Sequence, residues 1–234
     1  MSVSDEGSST ISVSEAVESR STVRQFLNKP VAKSDIEDIL LKAQRAPSGG
    51  NLQPWKVYVV AGNARDELVN IVKEKKAVNP LGDGSEYAIY PPELKDPYRT
   101  RRRVCGQQLY ETIGIARENK VAKFAQLERN FSFFGAPVGL FFTLDRQMGL
   151  GQWADMGMFM QNVMLLATEK GLATCAQEAW AVWYKTISEF VGIPDEEMLF
   201  CGMGLGYADP AAQINTFKTE RGSLEEFAVL KGFD

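Results

Sequence analysis

The residues that could do chemistry in this chain are as notable for what is missing as for what is present. Among 234 residues there is no histidine. A Ser-His-Asp or Cys-His relay therefore cannot form, nor can the usual His-ligated metal centre, and no Ser-x-x-Lys stands in for them. Cys105, Cys175 and Cys201 are odd in number and lack any CxxC spacing, so they read as buried thiols rather than a disulfide framework or a zinc knuckle. If the chain is an enzyme, its reactive atom belongs to an organic cofactor, and the protein supplies binding and orientation.

Two stretches suit that task. "SRSTVRQF" sets Arg20 and Arg24 four apart, which predicts one helical face, with the hydroxyls of Ser21 and Thr22 between them. Two guanidinium forks and two hydroxyls make a phosphate cradle. "APSGGNLQPW" carries two carboxamides, Asn51 and Gln53, in a loop of Pro and Gly. A carboxamide donates and accepts at once, which matches the alternating carbonyl and N–H edge of a flavin pyrimidine ring. The Gly pair lets backbone approach a flat ligand. Two other motifs read as structural. "GMGLGYA" ends a predicted strand and opens no helix, so Gly202, Gly204 and Gly206 serve close packing rather than dinucleotide binding. The run Arg99 to Arg103 reads as a solvated helix start, with an anion clamp as the alternative.

The elements that must position these residues follow from periodicity and caps. Ser12 with Glu15, and Ser34 with Glu37, are predicted capping boxes of two helices, the second facing the core with Ile36, Ile39, Leu40 and Ala43. Trp55 to Val60 alternates as a strand in which Trp55 is a core aromatic. Asn63 is predicted to cap a helix running to about Lys76. Residues 79–97 form a loop or lid rich in Gly, Pro and Tyr. Two helical stretches and the strand "PVGLFFTLD" come next. Gln152 to Lys170 is apolar nearly all round, which predicts a helix buried on every side, one side against a second subunit. "LATCAQEAW", "WYKTISEFVGI" and "MLFCGMGLGYA" complete the pattern as strand and turn, helix, and strand. The fold class is α+β with a central mixed, mainly antiparallel sheet.

Composition narrows the setting. A formal charge of −4 without a basic block argues against nucleic acid. The most apolar segment, Met156 to Ala167, is interrupted by Gln161 and Asn162 and is too short for a membrane span. The start, residues 1–11, reads as a disordered polar tail and not a secretory signal, so the chain is expected in the cytoplasm as one domain over residues 12–234.

From Ser14 to Phe227 the sequence resembles the FMN-dependent nitroreductases. The resemblance rests on "SRSTVRQF", "APSGGNLQPW", "GLATCAQEAW" and "GLGYADP" with "NTFKTER", and the segment "YPPELKDPYRTRRR" is similar to the longer branch that reduces nitroaromatic acids. It implies a three-layer homodimer using FMN and NAD(P)H, with shared active sites and FMN N5 as the reactive atom. Arg20, Ser21, Thr22 and Arg24 match the phosphate and ribityl motif. Pro47, Ser48, Gly49 and Asn51, with Gln53, match the stretch that the partner subunit contributes to the flavin. Gln177, Glu178 and Ala179 match the turn whose amides approach N5 and O4, although the family's usual Gly is Ala179 here. Arg221 matches the late basic residue at the phosphate, assisted by Lys218, where the family often has Lys at the position of Thr219. Tyr98 and Arg99 are the expected substrate contacts. Glu178 reads as a structural acid, with proton donation the alternative. The implied activity is two-electron, ping-pong reduction of nitroaromatic or similar acceptors; quinone or activated-alkene reduction, and a non-catalytic flavin carrier or sensor, are its rivals.

Overall fold

The computed structural model describes residues 11–233; the tail predicted over residues 1–11 lies outside them except for its last residue. The chain order is α1 (Val13–Ser19), α2 (Lys33–Ala43), β1 (Trp55–Ala61), α3 (Gly62–Val78), α4 (Tyr98–Thr112), α5 (Lys120–Glu128), β2 (Val138–Asp145), α6 (Leu150–Glu169), β3 (Ala173–Gln177), α7 (Tyr184–Val191) and β4 (Glu197–Gly206).

The strands form one sheet in the order β1-β2-β4-β3, and every ladder is antiparallel. The parallel component expected from sequence is reduced to isolated bridges, Thr22 with Thr174 and Gly84 with Trp183. Central β2 is buried from Val138 to Leu144 because both of its faces are covered. Leu140, Phe142 and Leu144 point into one layer with Ile36, Ile39 and Ala43 of α2 and Met156, Phe159 and Val163 of α6. Phe141 points the other way, into a layer with Leu68 and Val72 of α3, Ile187 of α7, and Trp180. The alternation of a strand thus generates helices, sheet and helices as three layers.

The glycines of β4 explain how the second layer comes so close. A Cβ on Gly202 would stand 2.3 Å from Cδ1 of the buried Trp180, and one on Gly206 would stand 2.4 Å from Cδ of Pro137. The packing role read from sequence holds.

Local expectations divide by whether tertiary structure competes with them. Ser12 and Glu15 do form a capping box on α1. Ser34 does not cap: α2 starts two residues earlier, its N-cap is Ala32, and Glu37 pairs instead with Lys33 one turn back at 3.0 Å. Asn63 does not cap α3 either, because the helix begins at Gly62 directly from β1. The α6 helix is buried on one side only: Met156, Phe159, Met160 and Val163 face the core, while Gly151, Ala154, Gly157 and Met158 are exposed in this chain. Trp55 stacks on Phe159 at 4.9 Å and 6°, as a core aromatic should. The three cysteines are free, Cys175 and Cys201 buried. No helix among the described residues is long and apolar enough to cross a membrane.

Candidate active site

Helix α1 ends at Ser19, and from Arg20 the backbone is extended. Arg20 and Arg24 therefore do not share a helical face. They nevertheless line one pocket, because the extended segment runs along its edge. Val23 and Phe26 turn inward and are buried, which leaves the two arginines free of the core. Thr22 bridges Thr174 at the edge of β3, and the Val23 N–H donates to the Thr174 carbonyl at 3.0 Å.

The last segment of the chain comes to the same place. Asn215 accepts the Arg24 backbone N–H on Oδ1 at 2.9 Å and donates from Nδ2 to the carbonyls of Gln25 and Asp209. Lys218 and Arg221 follow on that segment. Arg221 is braced by the carbonyls of Thr219 and Glu220 and by the Thr219 hydroxyl. Thr219, where the family often has Lys, thus orients the neighbouring arginine.

A pocket of about 580 Å³ collects Arg20, Ser21, Thr22, Arg24, Lys218 and Arg221. None of the ion pairs among the described residues involves those four cations. Burial first, and then the like charge of Arg221, pull the Arg20 guanidinium below its ordinary value. Four cations and a single carboxylate, Glu18, line the pocket, and Glu18 pairs with none of the four; an excess of unpaired cations, two of them raising each other's energy, suits a phosphate dianion.

Arg24 also lines a larger cavity of about 790 Å³, so the two are contiguous through one side chain. In its wall are Gln177, Glu178 and Ala179, where β3 gives way to a short 3-10 turn. Gln177 is buried; its Nε2 donates to the Asn130 carbonyl at 2.8 Å, and its buried Oε1 accepts nothing. A buried acceptor left without a donor is costly, and a ligand N–H would relieve it. Burial holds the Glu178 carboxyl above the usual carboxylate range. Phe131, Phe134, Met160 and Met164 supply apolar wall, so the cavity accepts a flat, largely apolar body with polar edges. A flat ring system on a phosphate-bearing chain fits this trough, and FMN has that form.

The other expected site residues lie elsewhere. Pro47, Ser48, Gly49, Asn51 and Gln53 line neither part of the trough in this chain. Their loop is tied to α6 by the Gly49 N–H donating to the buried carboxylate of Asp155 at 3.1 Å. The Gln53 backbone N–H donates to Ser48 Oγ, its side chain donates to the Asn51 carbonyl, and Gly50, Asn51 and Gln53 all hold positive φ. For Asn and Gln that conformation is uncommon and marks a loop shaped for a purpose. Tyr98 is exposed and lines no part of the trough, whereas Arg99 lines a separate, basic cavity next to it. Sequence reading missed Asn130 and Asn215 as positioning residues. Asn215 opens the motif "NTFKTER" and could have been found there, but nothing local marks Asn130.

A family model described as the nitroreductase family matches residues 17–207. A nitrobenzene nitroreductase of Ectopseudomonas oleovorans is 37% identical over 217 residues, covering 93% of this chain and 96% of that one. A 4-nitrobenzoate reductase of Pseudomonas putida is 36% identical over 221 residues, covering 93% and 95%. The crystal structure of an FMN- and NADPH-dependent nitroreductase from Sphigopyxis sp. strain HMH superposes with a TM-score of 0.92 at 43% identity, covering 95% of this chain and all of that one.

Proposed function

The chain belongs to the nitroreductase family, and from that premise we propose that it is an FMN-dependent oxidoreductase passing two electrons from NAD(P)H to a nitroaromatic or similar electron-poor acceptor in a ping-pong cycle. The observation that carries the reading is Arg24, whose side chain joins a pocket of four cations without ion-pair partners to a largely apolar cavity. Relatives named as reductases of nitrobenzene and 4-nitrobenzoate, and a structural neighbour described as FMN- and NADPH-dependent, support the same assignment.

Bound FMN supplies the two-electron chemistry, so that NAD(P)H and a proton convert a nitro group to nitroso and water. Arg20, Arg24, Lys218 and Arg221 hold its phosphate, with Ser21 and Thr22 donating hydroxyls. Gln177, Glu178 and Ala179 line the edge of the ring, where backbone amides and permanently charged groups stabilise negative charge without titrating. The apolar wall excludes water from the reacting face. The domain spans residues 12–234 and works in the cytoplasm.

The working unit is a homodimer with shared sites. Its support is the exposed stripe of α6, with Gly151, Ala154, Gly157 and Met158, and the loop from Pro47 to Gln53, shaped but distant from the trough of its own chain. Obligate dimers bury large, core-like interfaces, and such a stripe is of that kind.

The test is the absorption spectrum of purified protein followed by NADPH oxidation with 4-nitrobenzoate and nitrobenzene, with light scattering on the same sample. A yellow dimer that oxidises NADPH only when an acceptor of this kind is present is the expected result. A colourless protein rejects the cofactor; a monomer that retains FMN rejects the shared site.

A further inference from the structure

Helix α4 carries positive charge at its positive end. Its N-cap is Pro97, its first turn holds no acid, and the one carboxylate at its start is Asp96, which accepts the Thr100 N–H at 3.2 Å, yet Arg99, Arg101, Arg102 and Arg103 crowd its opening turns. A helix N-terminus behaves as about half a positive charge, so cations there are disfavoured unless an anion answers them. Two are answered: Arg99 pairs with Asp96 at 2.6 Å and Arg101 with Glu226. None of the ion pairs among the described residues involves Arg102 or Arg103.

Those two meet Arg99, Arg117 and Lys123 around a cavity of about 530 Å³ whose wall contains no carboxylate. Arg117 comes from the turn after α4 and Lys123 from α5, so the cluster is assembled by folding and is not only a run in the sequence. The cavity shares Tyr110 with the large cavity of the trough. The Arg102 guanidinium lies 3.8 Å over the ring of Tyr90, which lines the large cavity, and Lys123 Nζ lies 5.2 Å from the centre of Tyr110. Two tyrosines thus stand between the cavities, each with a cation over its ring. A run of charge ordinarily faces water, but a solvated run does not by itself gather cations from two helices around one hollow.

We propose that this cavity binds the adenosine 2′-phosphate of the electron donor, so that the chain takes NADPH in preference to NADH. The inference rests on the donor assignment made under the proposed function. A phosphomonoester is close to a dianion at neutral pH and accepts from guanidinium forks two at a time, which suits several unpaired arginines better than a single carboxylate would. Pro91, Pro92 and Leu94 in the same wall offer an apolar face to adenine. The carboxylate of a nitrobenzoate stands only one ring away from its nitro group and stays in the cavity where that group reacts. A dinucleotide separates its nicotinamide from its 2′-phosphate by a pyrophosphate and two riboses, and can occupy both cavities across Tyr110.

The experiment is isothermal titration of the protein as purified with adenosine 2′,5′-bisphosphate and with adenosine 5′-monophosphate, which needs no turnover. The bisphosphate should bind about tenfold more tightly or better, with an advantage that shrinks as salt is raised. In the double variant Arg102→Gln, Arg103→Gln the advantage should fall to within about twofold, while Arg103→Lys alone keeps part of it because charge survives and the fork does not. Both side chains are exposed, so the fold should survive, and circular dichroism checks that it does. Equal binding of the two nucleotides by the parent, or an undiminished advantage in the double variant, overturns the proposal. Displacement of the bisphosphate by 4-nitrobenzoate also overturns it and assigns the cavity to the acceptor. The flavin-to-protein ratio of the same samples reports separately on the FMN assignment, so failure of one is not mistaken for failure of the other.

Discussion

The backbone N–H of Arg24 and the side-chain oxygen of Asn215 are 2.9 Å apart, and that hydrogen bond joins the two ends of the chain at the cationic pocket. The same carboxamide donates at 2.8 Å to the Gln25 carbonyl and at 3.0 Å to that of Asp209. One side chain therefore fixes the extended segment bearing Arg20 and Arg24 against the segment bearing Lys218 and Arg221. It reinforces a short backbone pairing beside it, in which the Asp209 N–H donates to the Gln25 carbonyl at 3.1 Å and the Leu27 N–H to the Tyr207 carbonyl at 2.9 Å.

Asn215→Ala should consequently lower flavin retention although Asn215 makes no contact of its own with the proposed phosphate. Three hydrogen bonds are lost, each worth roughly 0.5–1.5 kcal/mol net. The flavin-to-protein absorbance ratio after dialysis and the melting temperature should both fall. Asn215→Asp, which keeps the acceptor and loses the donors, should lie between. Parent-like flavin content in the alanine variant would mean that the two segments are held by something else.

Arg24→Ala should weaken FMN binding by about 10- to 100-fold, since a charge-assisted hydrogen bond contributes roughly 1.5–3 kcal/mol. Turnover of the molecules that remain loaded should change far less, because the lost group serves the phosphate. Titration of stripped protein with FMN, followed by flavin fluorescence, gives the affinity. An unchanged dissociation constant would remove Arg24 from the cradle.

How much of this was legible in the sequence depends on whether a residue answers to its neighbours in the chain or to distant ones. The Ser12 box formed because nothing else competes for the start of α1. The face of α2 and the central strand were readable because burial imposes a period. The spacing of Arg20 and Arg24 was read with the wrong period: Thr22 and Val23 are claimed by β3, through Thr174, and tertiary pairing overrode a continuing helix. The antiparallel sheet was foreseen only in part, since strand order is set by contacts that no local pattern encodes. Asn130, which holds Gln177 from 47 residues away, left no local trace for the same reason.

Gly202→Ala should be strongly destabilising for a single methyl. The added Cβ would stand 2.3 Å from Cδ1 of Trp180, whose ring is fully buried and also packs on Phe133 and Phe141. Overpacking of this kind costs typically 1–3 kcal/mol, which in a chain of this length lowers the melting temperature by roughly 2–10 °C. Because the 3-10 turn that carries Trp180 also carries Glu178 and Ala179, flavin content should fall with it. A melting temperature equal to the parent's would show that the turn can move aside without cost.

The last prediction concerns pH. With no histidine in the chain, no side chain at its ordinary value titrates between about pH 5 and 8. Burial pushes the Cys175 thiol up to about 12 and Cys201 higher still, so neither thiol enters that window. Glu178 is the exception, because burial raises its carboxyl toward the window from below. The rate of flavin reduction by NADPH, followed by stopped-flow bleaching, should therefore be nearly flat from pH 5 to 8, and any inflection that appears should vanish in Glu178→Gln. Stability offers an independent check with a definite sign. A carboxyl whose folded pKa is raised contributes stability that is fully present below its unfolded pKa and is lost as pH rises through the folded one. Glu178→Gln stays neutral throughout, so the melting temperature of stripped parent protein should fall relative to the variant on going from pH 4 to pH 7. The side chain is only half-buried and solvent screens part of the effect, so the relative change should be small, roughly 1–3 °C. A difference that does not vary with pH would mean that Glu178 ionises as freely in the fold as out of it. An inflection in the reduction rate that persisted in the glutamine variant would place the titrating group elsewhere in the trough.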